Sequence, residues 1–94
     1  MKLSGILSGV DMIERPEPDS VEITGLAVDS RRVSPGTLFI AVSGHAADGH
    51  DFIGEALKNG ASAIVAERRI DAQVPVALVT DSRAAEPVIA RNYF

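Results

Sequence analysis

Apolar runs of strand length recur along the chain and predict a sheet. Residues 21–28 (VEITGLAV) first alternate and then become continuously apolar. This pattern predicts a strand that is half exposed at its start and buried on both faces towards its end. Residues 37–42 (TLFIAV), 63–66 (AIVA) and 76–79 (VALV) are uninterrupted apolar runs. Such runs are typical of strands covered on both faces, so these segments are predicted to form the interior of the sheet.

Apolar positions at helical spacing predict three helices. They fall within residues 2–9, in a segment that starts at residue 51, and in residues 81–94. Pro87 lies inside the last of these and disfavours helix at Glu86. The last helix is therefore expected either to begin near Glu86 or to bend.

Turn and capping residues separate these elements. Asp48 or Asp51 could cap the middle helix, and Gly60 is placed to end it in a left-handed conformation. Residues 14–20 and 67–75 read as irregular connections. The resulting order of strands and helices indicates an α/β sheet with helices packed against its faces.

Length and composition restrict the function classes. The chain has 94 residues, a net charge of -4 and no cysteine. This size indicates a single domain, and the acidic balance gives no general affinity for nucleic acid or an anionic membrane. The N-terminus lacks the apolar stretch of a signal peptide, and no run is long enough to span a bilayer. We expect a cytoplasmic protein.

Two short polar loops are the candidate ligand contacts. Asp29-Ser30-Arg31 follows a predicted strand, where open α/β sheets place ligand-binding loops. The Ser30 hydroxyl could donate to a phosphate oxygen or contact a ribose hydroxyl, and Arg31 could add charge-assisted hydrogen bonds. The alternative is an ordinary Asx- or Ser-type turn with a solvated arginine.

The second loop comprises residues 44–50 (GHAADGH) and follows the next strand. Its glycines would let the backbone approach a planar ligand closely. A metal site is disfavoured because no obvious third or fourth ligand lies elsewhere in the sequence. His50 and Asp51 are better explained as residues of a helix start, where Asp caps and His can bond to a neighbouring strand.

Catalytic motifs are absent from the sequence. There is no G-x-S-x-G elbow, and neither lysine, Lys2 nor Lys58, follows a glycine-rich phosphate loop. Asp29, Asp48 and Asp51 have the spacing of turns and caps rather than of paired catalytic carboxylates. We expect no catalytic residue and no ATP turnover in this chain.

The order of these sequence motifs resembles that in the N-terminal domain of the Mur ligase family. The shared pattern is I-T-G-L-x-x-D-S-R-x-V-x-P-G-x-L-F-x-A at residues 23–41, followed by Gly-His, D-G-H-D-F-I and the Asp-Ser-Arg of residues 81–83. Gly44-His45 and residues 81–83 are most similar to the MurE branch. The MurF branch, which shares several of these motifs, is the nearest alternative.

The resemblance implies a small mixed, mainly parallel sheet and a single UDP-binding domain over residues 1–94. It implies a monomer that binds the UDP part of a UDP-N-acetylmuramoyl peptide in an ATP-dependent ligase of peptidoglycan synthesis. ATP, magnesium, the central ATPase domain and the C-terminal domain would belong to the full-length enzyme, and this part alone would be inactive. The implied substrate-binding residues are Val28, Ser30, Gly44, His45, Ala46 and Ala47.

Two points stay open at the sequence level. The added diamino acid is meso-diaminopimelate or L-lysine, because the pocket that selects it has no counterpart here. The chain could also be a stand-alone, non-catalytic module that binds a uridine nucleotide or a protein. The codons that follow Phe94 would separate a module from a longer ligase.

Overall fold

A mixed sheet of five strands is seen in the computed structural model, which describes residues 1–44 and 47–94. The spatial order is β1-β5-β4-β3-β2. Only the β1–β5 pair is antiparallel among the neighbouring strands of this sheet. The α/β class and the mainly parallel sheet are therefore confirmed. The strands are β1 (Met12–Glu14), β2 (Gly25–Ala27), β3 (Thr37–Ile40), β4 (Ala63–Ala66) and β5 (Val76–Val79).

The interior strands are those with uninterrupted apolar runs. All residues of β3 and β4 are buried, and the two pair in parallel with Phe39 opposite Ile64. The predicted bounds of β4 and β5 match the structure. β3 ends at Ile40, two residues earlier than predicted, although the Ala41 amide still donates to the Val65 carbonyl at 2.9 Å.

Helices cover both faces of the sheet. Alternate strand residues point to opposite faces. Leu38, Ile40 and Val65 belong to one cluster with α1 and α3, whereas Phe39 and Ile64 belong to another with α2. The helices are α1 (Leu3–Ile6), α2 (Ile53–Lys58) and α3 (Ser82–Tyr93), and short 3₁₀ turns span Ser30–Arg32 and Gly49–Phe52. No helix in the described parts of the chain is long and apolar enough to cross a membrane.

The strand predicted over residues 21–28 was too long. Leu3 donates to the Val21 carbonyl and Ile23 donates to the Met1 carbonyl, so residues 21–23 associate with the N-terminal segment. Only Gly25–Ala27 joins the sheet, as its edge strand. Val28 is 54% exposed because it lies beyond this edge strand, so the prediction of burial on both faces there was wrong.

The other edge strand was not predicted. Glu14 was assigned to an irregular connection, but it ends β1 and pairs with Leu78. β1 has three residues and its register shifts between Met12 and Glu14. So short and irregular a strand shows no period-2 pattern, and the pairing depends on β5 being beside it.

The ends of the helices are set by local polar groups and glycines. α3 begins at Ser82, so the helix predicted within residues 81–94 is confirmed and the alternative of a start near Glu86 was wrong. The Asp81 carboxylate accepts from the amides of Arg83 and Ala84 at 3.0 and 3.3 Å, which caps the helix ahead of Pro87. α1 is only one turn long, shorter than predicted, and Gly9 follows it with a φ of 80°.

Candidate functional site

A cavity of about 640 Å³ lies where β2 and β3 end. Both strands run in parallel, so the segments that follow Ala27 and Ile40 meet at the same edge of the sheet. This is the edge where open α/β sheets bind ligands. The lining residues come from these two segments and from the start of α2: Val28, Asp29, Ser30, Arg31, Val42, Gly44, Ala47, Gly49, Phe52 and Glu55.

Four of the six predicted site residues line this one cavity. They are Val28, Ser30, Gly44 and Ala47. The other two, His45 and Ala46, lie outside the described residues. The structure thus brings together the two loops that the sequence placed at neighbouring strand ends.

Phe52 and Glu55 are lining residues that the sequence analysis missed. Phe52 follows the helical spacing of core positions, yet it is 44% exposed and forms part of the cavity wall. Glu55 lies three residues further on, so both side chains are on the same side of the first turns. The available signal was this three-residue spacing next to a candidate loop.

Ser30 is held in a compact turn. Asp29 Oδ1 accepts from the Arg31 amide at 3.0 Å, and the Arg31 guanidinium donates to both carboxylate oxygens, at 3.1 and 2.8 Å. These hydrogen bonds from Arg31, together with its charge, lower the pKa of Asp29 to about 2. The expected Asx-type turn is present and lines the cavity, and its arginine is already paired with Asp29.

The Ser30 hydroxyl donates to the Glu55 carboxylate, and Ser30 is only 4% exposed. Asn59 Nδ2 donates to the Ser30 carbonyl at 2.9 Å. Glu55 belongs to α2, and Asn59 follows its last residue, so both bonds tie this helix to the turn after β2. The Ser30 hydroxyl hydrogen, which was expected to reach a ligand, is therefore donated to Glu55 instead.

The two glycines of the second loop are required by the chain itself. A Cβ on Gly49 would lie 2.7 Å from the Val42 nitrogen, and one on Gly44 would lie 2.6 Å from the Ala47 carbonyl oxygen. Real Cβ atoms essentially never approach that closely. Glycine here allows the loop to close on itself, a reason different from the close approach to a ligand that the sequence analysis offered.

A buried histidine anchors the loop from behind. The Glu67 amide donates to His50 Nε2 at 2.8 Å, so the ring proton is on Nδ1, which donates to Asp48 Oδ1 at 2.7 Å. Asp48 also accepts from the His50 amide and caps the 3₁₀ turn there. His50 was predicted to bond to a neighbouring strand, and its partner Glu67 is the residue that directly follows β4.

The Glu67 carboxylate joins three strand ends. Its Oε2 accepts from the amide and hydroxyl of Ser82 at 2.6 and 2.8 Å, and its Oε1 accepts from the Ser43 hydroxyl at 3.0 Å. The hydrogen bond from the Ser82 amide is the main cause that lowers the pKa of Glu67. The pKa of Asp48 is likewise lowered, chiefly by its hydrogen bond from the His50 amide. These carboxylates stay charged and hold the loop behind the cavity.

Residues 1–44 and 47–94 contain no cluster of three or more His, Cys, Asp or Glu side chains able to hold a metal ion. In the described part of the loop, the Asp48 and His50 side chains bond to each other and to Glu67 and Arg68. Their arrangement is that of a structural anchor.

Comparisons with known proteins point in one direction. Residues 22–92 match the model described as "Mur ligase family, catalytic domain". The UDP-N-acetylmuramoyl-L-alanyl-D-glutamate--2,6-diaminopimelate ligase of Syntrophomonas wolfei is 44% identical over 96 residues, and that of Listeria monocytogenes is 40% identical over 94. Each comparison covers 100% of this chain but only 20% and 19% of the relative. The chain therefore spans about one fifth of the length of these relatives.

Solved structures give the same fold. A crystal structure of MurF from Acinetobacter baumannii aligns with a TM-score of 0.69 and 31% identity, covering 74% of this chain and 16% of that one. MurF ligase from Thermotoga maritima, in complex with ADP, aligns with a TM-score of 0.63 and 41% identity, covering 76% and 16%.

Proposed function

The chain belongs to the Mur ligase family, and on that basis we propose that residues 1–94 form the N-terminal substrate-binding domain of an ATP-dependent ligase of peptidoglycan synthesis. The full enzyme would add a diamino acid to UDP-MurNAc-L-Ala-D-Glu. The central ATPase and C-terminal domains would belong to the same longer chain, as intramolecular partners of this domain. Because the reaction consumes ATP, we place the enzyme in the cytoplasm, and we propose that it is a monomer.

The cavity at the ends of β2 and β3 is the observation that carries this proposal. Its walls combine exposed apolar side chains, Val28 and Phe52, with polar groups on Ser30 and Glu55. Pockets for small molecules are mostly apolar, with a few polar groups that fix orientation. A planar uracil base and its ribose have this mixture of surfaces. We propose that Val28, Ser30, Gly44, His45, Ala46 and Ala47 contact the uridine end of the substrate.

ATP and magnesium do not fit the residues of this chain. Lys2 and Lys58 are the only lysines, and neither follows a glycine-rich phosphate loop. The described residues also lack a carboxylate cluster for the metal. Both groups would bind in the central domain. The present domain would contribute by positioning the substrate, since binding energy gained far from the reacting atoms can be used to orient them.

An NMR titration of the ¹⁵N-labelled chain with UDP tests the proposal. The cavity is open and holds one end of a large substrate, so we expect a Kd on the order of 1 mM, equivalent to about -4 kcal/mol. The amides of Val28, Ser30, Gly44 and Ala47 should shift, and that of Arg69, whose side chain pairs with Glu14 far from the cavity, should not. ADP at equal concentration is the matched control. The proposal is wrong if the cavity amides do not respond to UDP or respond equally to ADP.

The MurF branch is a second candidate because both solved structures compared above are MurF enzymes. The curated relatives, which match over the whole chain, are diaminopimelate ligases and favour the first candidate. The full-length enzyme separates the two in one assay. Addition of a diamino acid to UDP-MurNAc-L-Ala-D-Glu supports the diamino-acid ligase. Addition of D-alanyl-D-alanine to UDP-N-acetylmuramoylalanyl-D-glutamyl-2,6-diaminopimelate supports the MurF branch.

A further inference from the structure

The Glu55 carboxylate forms part of the cavity wall, and no sequence motif had pointed to this residue. We propose that Glu55 is a specificity-determining residue that accepts hydrogen bonds from the ribose hydroxyls of the nucleotide and so selects ribose over deoxyribose. This inference rests on the proposed function, because it assumes that a uridine nucleotide occupies the cavity.

The carboxylate is held at the wall by contacts with the turn after β2. Its Oε1 accepts the hydroxyl hydrogen of Ser30, a buried residue whose carbonyl is itself bonded to Asn59. An ionised carboxylate has about four acceptor positions. The Ser30 hydroxyl takes one of them, so others can receive donors from a ligand.

The groups at this part of the wall present acceptors rather than donors. A serine hydroxyl has one donor hydrogen and two acceptor lone pairs. Ser30 uses its hydrogen on Glu55, so it can only accept from a ligand. The guanidinium of Arg31 donates two of its five N–H groups to Asp29. The part of the wall formed by Ser30 and Glu55 is therefore complementary to hydroxyl groups and poorly complementary to phosphate oxygens, which are acceptors themselves.

Charge favours the same end of the ligand. Asp29 and Glu55 are two carboxylates against the single guanidinium of Arg31 among the described lining residues. A diphosphate next to Glu55 would face a like charge, which is unfavourable. A ribose is neutral and offers two adjacent hydroxyl donors. Acidic residues bind ribose hydroxyls in dinucleotide-binding α/β folds for the same chemical reason.

A comparison of ligands and variants tests this role. Binding of UDP, 2′-deoxy-UDP, 3′-deoxy-UDP and N3-methyl-UDP to the 94-residue chain would be measured by NMR titration. The wild-type chain should bind at least one deoxy analogue about tenfold more weakly than UDP, the loss expected for one hydrogen bond to a charged acceptor. In Glu55→Ala this ratio should fall to about one, and Glu55→Gln, which keeps one acceptor oxygen, should retain part of it.

The ratio separates ligand selection from a merely structural role. If Glu55 only supported the fold through its bond to Ser30, Glu55→Ala would weaken the binding of UDP and of its deoxy analogues together and would leave their ratio unchanged. Asp71→Ala removes the same charge from an exposed position that does not line the cavity, and it should keep the wild-type ratio.

Each outcome bears on one proposal. If the wild-type chain binds UDP but does not discriminate, or if Glu55→Ala discriminates as well as wild type, the inference is wrong and the proposed function stands. Discrimination against N3-methyl-UDP alone, if it is lost in Glu55→Ala, would assign Glu55 to the base and also overturn the inference. If the wild-type chain does not bind UDP at all, the proposed function itself fails.

Discussion

Two carboxylates, Glu55 and Glu67, account for much of the geometry around the cavity. Glu55 receives the hydroxyl of Ser30 on one side of the site. Glu67 receives the hydroxyl and amide of Ser82 and the hydroxyl of Ser43 behind it. Hydrogen bonds to charged acceptors are stronger than those between neutral groups, so single changes at these positions should have measurable effects.

Ser30→Ala should weaken UDP binding by about 0.5–1.5 kcal/mol and lower the free energy of unfolding by about 1 kcal/mol. The variant loses the donor that holds Glu55 at the cavity wall and the oxygen that faces a ligand. NMR titration gives the first quantity and urea denaturation the second. Ser20→Ala, at an exposed position outside the cavity, is the control and should change neither. UDP affinity equal to wild type in Ser30→Ala would contradict the site assignment.

Glu67→Gln should lower the free energy of unfolding by about 1–3 kcal/mol at pH 7, because an amide NH₂ cannot accept the bonds that both carboxylate oxygens now receive. The folded-state pKa of Glu67 is lowered from 4.5, so its stabilising contribution is present above pH 4.5 and is lost as the pH falls through the lower folded value. The gap between wild type and variant should therefore shrink below pH 4.5.

Urea denaturation at pH 7 and at several values below 4.5 measures this gap. Glu17→Gln, at an exposed position, should stay within about 0.5 kcal/mol of wild type at every pH. A gap for Glu67→Gln that widens under acid would show that the carboxylate is not stabilising in the folded state.

Glycines in and next to the strands and helices have different structural roles. Gly36 has a φ of 96° in the turn before β3, and Gly60 has a φ of 100° after α2. The helix end at Gly60 had been predicted from the sequence. Gly54 has no such role, because it lies inside α2 and a Cβ there would meet nothing within 4 Å.

Alanine at these glycines should act in opposite directions. Gly54→Ala should raise the free energy of unfolding by about 0.5–1 kcal/mol, because alanine restricts the unfolded chain and favours helix. Gly36→Ala should lower it by about 1–3 kcal/mol, since the backbone is left-handed and a Cβ would lie 2.2 Å from Thr24 Oγ1. Urea midpoints of both variants give the comparison. Stabilisation by Gly36→Ala would contradict the described turn.

The fold is a single sheet with helices on both faces, and the cavity lies at the edge where β2 and β3 end. α1 and α3 cover one face with the larger cluster, and α2 covers the other. The cavity is built from the turn after β2, the loop after β3 and α2, all of which also contribute to packing. A ligand that binds there should therefore stabilise the fold as a unit.

UDP should raise the Tm of the chain. With a Kd of about 1 mM, about 10 mM UDP adds roughly 1.4 kcal/mol to the stability of the folded state. For a domain of this size that corresponds to an increase of about 6–11 °C. Thermal unfolding followed by circular dichroism measures the shift. ADP at the same concentration should give a much smaller one, and equal shifts would indicate a site that does not distinguish uracil from adenine.

Local sequence was sufficient for the interior of the fold. The runs at residues 63–66 and 76–79 are buried strands with the predicted bounds. Gly60 follows the end of α2 as predicted, whereas Asp48 caps the 3₁₀ turn before α2 and not the helix itself, which has no side-chain cap. These features depend on residues close together in the sequence, so the spacing of apolar residues and the capping and turn residues are enough to predict them. Val28, Ser30, Gly44 and Ala47 were named through the resemblance, and the parallel pairing of β2 with β3 brings the segments that contain them to one edge.

The tertiary structure decided the contacts between residues distant in sequence. β1 exists as a strand because β5 lies beside it, and residues 21–23 leave the sheet because the N-terminal segment bonds to them. Ser30 and Glu55 are 25 residues apart, and Glu67 and Ser82 are 15 apart. No local pattern encodes such pairs. The partner of a buried hydroxyl or carboxylate is set by which elements the hydrophobic core brings together, and only then by hydrogen bonding.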